Sequence, residues 1–184
     1  LNNSADKIFH NSMYDVCWLY SEGYTIKGRI IDTMIGAAIV DENQLRYDLN
    51  SCSRRYLNQS KNEAALYDAA KSWGVDAKAE MYKLPAMYVG SYAEKDAELT
   101  YKLWQELKKE IEYQDIHDVW KLETDLFPCL VDMRFLGVRV NQEQAAIEKK
   151  TLVEQEKKLL LEVKQKTNVE VQIWAARSIA QVFD

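Results

Sequence analysis

Proline and glycine are scarce, two and six among 184 residues. That scarcity excludes collagen-like and low-complexity chains, and with many Ala, Leu, Glu and Lys it tilts the expectation toward helix. Cysteine is scarce too. Cys17, Cys52 and Cys129 are odd in number, far apart and set among apolar neighbours, so neither a disulfide framework nor a zinc site is expected, and a reducing cytoplasm fits. Excess positive charge is missing: the formal net charge is −5 at pH 7, with neither half of the chain carrying a basic footprint. This weighs against a protein that wraps duplex nucleic acid, but not against an enzyme that gathers carboxylates around divalent cations. No apolar run approaches the roughly 20 residues of a membrane-spanning helix, so no membrane partner is expected. The chain opens at Leu1, not Met, without a signal-peptide pattern, and reads as a piece of a longer one.

What is present is a folded, helix-rich α/β pattern of one large or two small domains. Lys7 to His10 reads as a strand, Tyr14 to Tyr20 as a helix closed by Gly23, and Arg29 to Ile31 as a second short apolar run. Asp32-Thr33 reads as a cap before a helix from Met34 to Val40, and Asn50 or Ser51 as the cap before Cys52 to Leu57. Residues 58–87 read as short helices and loops. Ser91-Tyr92-Ala93-Glu94 has the form of a capping box opening a helix to about Tyr113, with an expected apolar stripe of Ala93, Ala97, Thr100, Trp104, Leu107 and Ile111. A helix from Asp118 to Phe135, bent at Pro128, stops at Gly137. A long amphipathic helix follows from Gln142 to Lys166, with Ala145, Ala146, Leu152, Val153, Leu159, Leu160 and Val163 on one face. The expected division lies near Asp115, giving domains 1–115 and 116–184.

Two acids stand out. Tyr92 and Asp96 are four apart and share a helical face that continues to Leu99 and Leu103, placing a carboxylate on an apolar line. Either a divalent metal partners that charge, with the Tyr92 hydroxyl positioning a water, or Asp96 is a half-exposed acid favoured near a helix start. Asp15 follows a strand and opens a helix, where α/β enzymes place site residues, flanked by Asn11 and Tyr14, which offer an amide and an aromatic face for a base or sugar. It also reads simply as an acid favoured in a first turn.

The order of the motifs extends the reading. Asn11-Ser12-Met13-Tyr14-Asp15, Ile31-Asp32-Thr33-Met34, Leu49-Asn50-Ser51-Cys52-Ser53-Arg54-Arg55-Tyr56-Leu57 and Tyr92-Ala93-Glu94-Lys95-Asp96-Ala97 resemble, in sequence, the proofreading 3′-5′ exonuclease domain of family A DNA polymerases, closest in length to bacteriophage members. Glu123, Pro128, Leu130, Met133 and Gly137-Val138-Arg139-Val140-Asn141 resemble the segment leading into the polymerase domain, and the long helix resembles the start of the thumb.

The resemblance implies a ribonuclease H-like exonuclease fold whose first strands lie upstream of Leu1, followed by helices leading into the thumb. It implies a DEDDy nuclease in which carboxylates hold two Mg²⁺ or Mn²⁺ ions. Asp96 and Asp15 are then the metal ligands, Tyr92 positions the water, Asn11 and Tyr14 contact a single-stranded DNA 3′ end, and Arg55 contacts a phosphate. The Asp-x-Glu motif that supplies the other two carboxylates is expected upstream, so the 184 residues alone are expected to be inactive. The parent is expected to hold primer-template DNA in the cytoplasm of a bacterium or a phage-infected host; an upstream segment or processivity partner stays unspecified. Two other readings remain: a stand-alone exoribonuclease of the same carboxylate class, and a non-catalytic helical interaction module.

Overall fold

A computed structural model describes residues 1–61 and 63–183. The chain is a helix-rich α/β protein that divides into two compact units, Leu1–Leu136 and Gly137–Asp184.

The first unit begins with a βαβ turn. Strands β1 (Lys7–Phe9) and β2 (Ile30–Asp32) pair in parallel, Ile8 opposite Ile31, and helix α1 (Ser12–Ser21) crosses between them. Among the described residues the sheet has these two strands. Glycine is required just before β2: Gly28 has φ +87°, and a Cβ there would lie 2.2 Å from the Ala5 carbonyl oxygen. The close approach lets the Lys7 amide donate to the Arg29 carbonyl at 2.9 Å.

Helix α2 (Thr33–Val40) starts at Asp32, whose side chain accepts from the Met34 amide as the Asp-Thr pair leads one to expect. The next helix departs from expectation. Helix α3 (Leu49–Leu57) begins earlier and is capped by Asp48, which accepts from the Ser51 amide, while Asn50 and Ser51 lie inside it. An aspartate two residues farther upstream offers the same oxygen with the extended backbone a cap needs, and one more turn of helix forms. Helix α4 (Ala64–Trp73), a short 3₁₀ turn (Met81–Lys83) and loops fill the segment up to Pro85.

Helix α5 (Ala86–Tyr113) is the spine of the unit and corrects the sequence reading in two ways. It starts directly after Pro85, so Ser91 sits in its second turn and caps nothing among the described residues. Proline is compatible with a helix entrance because its missing N–H would have no partner there. Its buried line is Leu99, Leu103, Leu107 and Ile111 with Thr100 beside it; Ala93 and Ala97 are exposed and Trp104 is only partly covered. The register is thus set by the large leucines, each worth about 2 kcal/mol on burial, against which two alanines have little to offer. Helices α2 and α3 pack on this line, Ile8 of β1 joins the same cluster, and α4 also contacts α5.

Helix α6 (His117–Leu136) continues through Pro128 and stops before Gly137, at φ +70°. It belongs to the same unit by packing. Trp120 is buried in the main core with Trp104 5.1 Å away, and Phe127 and Val131 form a second cluster with Val16 of α1.

The second unit consists of α7 (Gln142–Thr167), capped by Asn141 and closed by Asn168 in the left-handed conformation, and the short α8 (Ala176–Ala180). The apolar row expected along α7 exists in sequence, but none of its residues is buried; Leu152 and Leu159 are exposed. No helix among the described residues is long and apolar enough to cross a membrane.

Candidate active site

A cleft of about 1140 Å³ opens in the first unit between the end of β1, the first turn of α1 and the exposed end of the α5 spine. The turn that carries Asn11 into this cleft is organised by Asp32, behind the wall. This carboxylate is only 5 % exposed, and it accepts hydrogen bonds from the Asn11 amide (3.0 Å), the Ser12 amide and hydroxyl (2.7 Å each) and the Met34 amide (2.8 Å). One side chain therefore satisfies the starts of two helices. It also holds Asn11 at φ 65°, ψ 52°, a left-handed turn that asparagine tolerates, and this turn swings the chain from β1 into α1.

Asn11, Tyr14 and Asp15 line the cleft from this side. Asp15 lies in the first turn of α1, where the helix dipole favours an acid. Its carboxyl is nonetheless held above the ordinary aspartate range, because the surrounding walls desolvate it and the Asp32 charge adds repulsion.

Tyr92 and Asp96 line the other side. Since α5 begins at Ala86, Asp96 lies well beyond the first turn, and the dipole effect has faded there. The bland explanation of this acid loses its basis. Asp96 follows the same helical line as the buried Leu99 and Leu103, and its Oδ1 is buried with no hydrogen-bond partner among the described residues. Its Oδ2 accepts from the Lys61 ammonium at 2.6 Å. The same ammonium lies 3.4 Å from the Tyr92 hydroxyl and 5.1 Å from the centre of its ring. Desolvation opposes the Lys61 charge, yet the hydrogen bond and charge of Asp96 outweigh it and raise the Lys61 pKa. Burial pushes the Tyr92 phenol above its usual value, Asp96 adding to the rise and Lys61 opposing it.

Five of the six residues singled out from the sequence, Asn11, Tyr14, Asp15, Tyr92 and Asp96, thus line one cleft. Arg55 does not: it pairs with Asp41 and stacks 5.9 Å from the Tyr56 ring, and it is absent from the cleft wall among the described residues. It sits in the last turn of α3, where Asp41 takes its guanidinium. Two wall residues escape sequence reasoning. Lys61 lies in a polar, aperiodic stretch where a lysine looks like any solvated one, and no local signal marks it. His10 shares a tetrapeptide with β1; its Nδ1 lies 2.9 Å from the Thr33 hydroxyl, which itself donates to the Phe9 carbonyl, and its Nε2 is buried without a partner among the described residues.

No group of three or more His, Cys, Asp and Glu able to hold a metal ion is found among the described residues. The donors that do fit a divalent cation are hard oxygens: the unpartnered Asp96 Oδ1 and the carboxyl of Asp15, an exposed residue of the cleft wall.

Residues 1–112 match the model of a 3′-5′ exonuclease family. The chain is 36% identical over 142 residues to the DNA polymerase DpoZ of Acinetobacter phage SH-Ab 15497, covering 74% of this chain and 23% of the relative. It is 28% identical to a DNA-directed DNA polymerase of Pseudomonas phage M6, covering 98% of this chain and 28% of that protein. It is 26% identical over 144 residues to DNA polymerase I of Chloroflexus aurantiacus, covering 77% and 15%. It spans between 15% and 28% of the length of these curated relatives. With more than half of its residues matched by that family model, the chain belongs to the 3′-5′ exonuclease family of family A DNA polymerases.

Proposed function

We propose that the cleft is the proofreading site of a DNA polymerase, hydrolysing the last phosphodiester of a single-stranded DNA 3′ end with Mg²⁺ or Mn²⁺ as cofactor. The observation that carries this reading is the buried, unpartnered Oδ1 of Asp96, a residue that lines the cleft together with Asp15 and Tyr92. Asp96 and Asp15 are the ligands. A divalent cation held by them supplies the positive charge that activates water and steadies the charge developing on phosphate.

The chain's own groups do the rest. The Tyr92 hydroxyl, a turn from Asp96, orients the attacking water. Tyr14, exposed at the rim, offers its ring to the terminal base, and the Asn11 amide offers donors and an acceptor to sugar or base. Water gives up a proton and adds to phosphorus, the bond to the 3′ oxygen of the preceding nucleotide breaks, that oxygen takes up a proton to become a hydroxyl, and a nucleoside 5′-monophosphate leaves. The polymerase names of the relatives favour DNA over RNA as substrate.

The βαβ turn with helices packed on it is compatible with a ribonuclease H-like architecture. Residues 1–115 carry the nuclease part in this reading, and 116–184 lead toward a polymerase domain and its thumb. A bacterial or phage-infected host cytoplasm is the setting, and primer-template DNA the parent's partner.

With Lys61 offsetting the Asp96 carboxylate, the 184 residues alone are expected to hold metal weakly and to cleave slowly. A polypeptide extended upstream to include an Asp-x-Glu strand is expected to degrade 3′-labelled single-stranded DNA from its end when Mg²⁺ is added. In that longer protein Asp96→Ala is expected to slow degradation by on the order of a thousandfold. Near-normal degradation by the Asp96→Ala protein would overturn the assignment.

A further inference from the structure

Lys61 does for Asp96 what a bound cation would do, with a charge the chain supplies itself. Its ammonium donates to Oδ2 at 2.6 Å while Oδ1 stays buried and unpartnered among the described residues. The side chain is aimed, not trailing. Its root is fixed because the Lys61 amide donates to Asn50 Oδ1 of α3 at 3.1 Å, and its head lies against the Tyr92 side chain. Only 14 % of the side chain is exposed.

A divalent ion taking Oδ1 would share one carboxylate with this ammonium. Like charges that close repel strongly in a partly enclosed cleft, where water screens them poorly. A surface lysine would swing away at little cost. Lys61 has to give up a short charge-assisted bond, its aromatic contact and its cover.

We propose that Lys61 is a built-in counter-cation that competes with the divalent metal for Asp96 and has to be displaced as the metal loads, so that the chain itself sets a threshold for metal occupancy. This rests on the nuclease reading above. It makes Lys61 a positioning residue: it holds Asp96 and Tyr92 in place while no metal is bound, and touches neither substrate nor the reacting atoms.

The test is a Mn²⁺ titration of the 184-residue chain, with free aquo-Mn²⁺ followed by electron paramagnetic resonance. It compares the parent with Lys61→Met, Lys61→Gln, Lys61→Arg and Asp96→Asn, circular dichroism reporting the fold of each. Lys61→Gln keeps a donor for Oδ2 and guards against loss of fold in the methionine variant. Neutral replacement is expected to tighten Mn²⁺ binding at least tenfold, Lys61→Arg to bind as the parent does, and Asp96→Asn to abolish specific binding. If a folded Lys61→Gln chain binds Mn²⁺ no more tightly than the parent while Asp96→Asn still abolishes binding, the counter-cation idea falls and the nuclease reading stands. If Asp96→Asn binds as well as the parent, both fall.

Discussion

The carboxylate of Asp32 accepts both the amide and the hydroxyl hydrogen of Ser12, each at 2.7 Å, and so ties the end of β2 to the first residue of α1. With its bonds to the amides of Asn11 and Met34, this one buried group completes two helix entrances. Asp32→Ala is expected to cost about 3 kcal/mol, since it strands buried donors as well as removing charge-assisted bonds. Asp48→Ala, at the exposed cap of α3, is expected to cost about 1 kcal/mol. Urea midpoints of the two variants check the ordering, and equal losses would refute it.

Tyr92→Phe removes one hydroxyl and leaves the Asp96 carboxylate in place. In a nuclease-competent longer protein it is expected to slow hydrolysis by roughly ten- to a hundredfold, well short of the loss on replacing Asp96. Single-turnover rates at saturating Mg²⁺ separate the two. A Tyr92→Phe rate equal to that of the parent would remove Tyr92 from the water-orienting role.

His10 contributes a pH dependence. Burial lowers its pKa from the ordinary 6.5; Lys61 reinforces the fall, and the Asp32 and Asp48 charges and the polar backbone at Tyr47 oppose it. The unfolded chain therefore binds the proton more readily than the folded one. Stability from this group is present above about pH 6.5 and is lost as the pH drops through the depressed folded value. His10→Gln is expected to flatten the decline of the melting temperature between pH 7 and 5. An unchanged decline would mean that the imidazole is not the group responsible.

The cysteines are expected to react in the order of their exposure. Cys129 is exposed and Cys17 partly covered, whereas Cys52 is buried and its thiol is pushed up to about 11 by desolvation. Brief maleimide treatment followed by mass spectrometry should find Cys129 modified and Cys52 intact until denaturant is added. Early modification of Cys52 would contradict its burial in the α2–α3–α5 core.

Both strands, the helices on either side of β2 and the long helices were legible in the sequence, because short apolar runs and Asp32-Thr33 are local signals. The α5 entrance was misplaced because Ser91-Tyr92-Ala93-Glu94 has the form of a capping box. The structure spends a glycine inside the helix and uses Pro85 as the entrance instead, since the leucine line from Leu99 holds the whole rod in place. In the cleft, five residues were legible because they sit at an element junction or at helical spacing. Lys61 was not, since its role depends on a contact 35 residues away that no local pattern encodes. Arg55 was implied by the motif resemblance, and a motif match says nothing about which way an α3 side chain points.

The way α6 packs bears on how such a gene is cut and rejoined. Trp120, Phe127 and Val131 come after residue 115, yet they complete the cores around Leu107 and Val16. A recombination crossover at Asp115 would deliver a nuclease module stripped of its lid, with a hydrophobic wound on α1, α2 and α5. A crossover at Gly137, past the last packed turn, would exchange the module whole, so the seam available for shuffling lies about two dozen residues downstream of where the motifs change character.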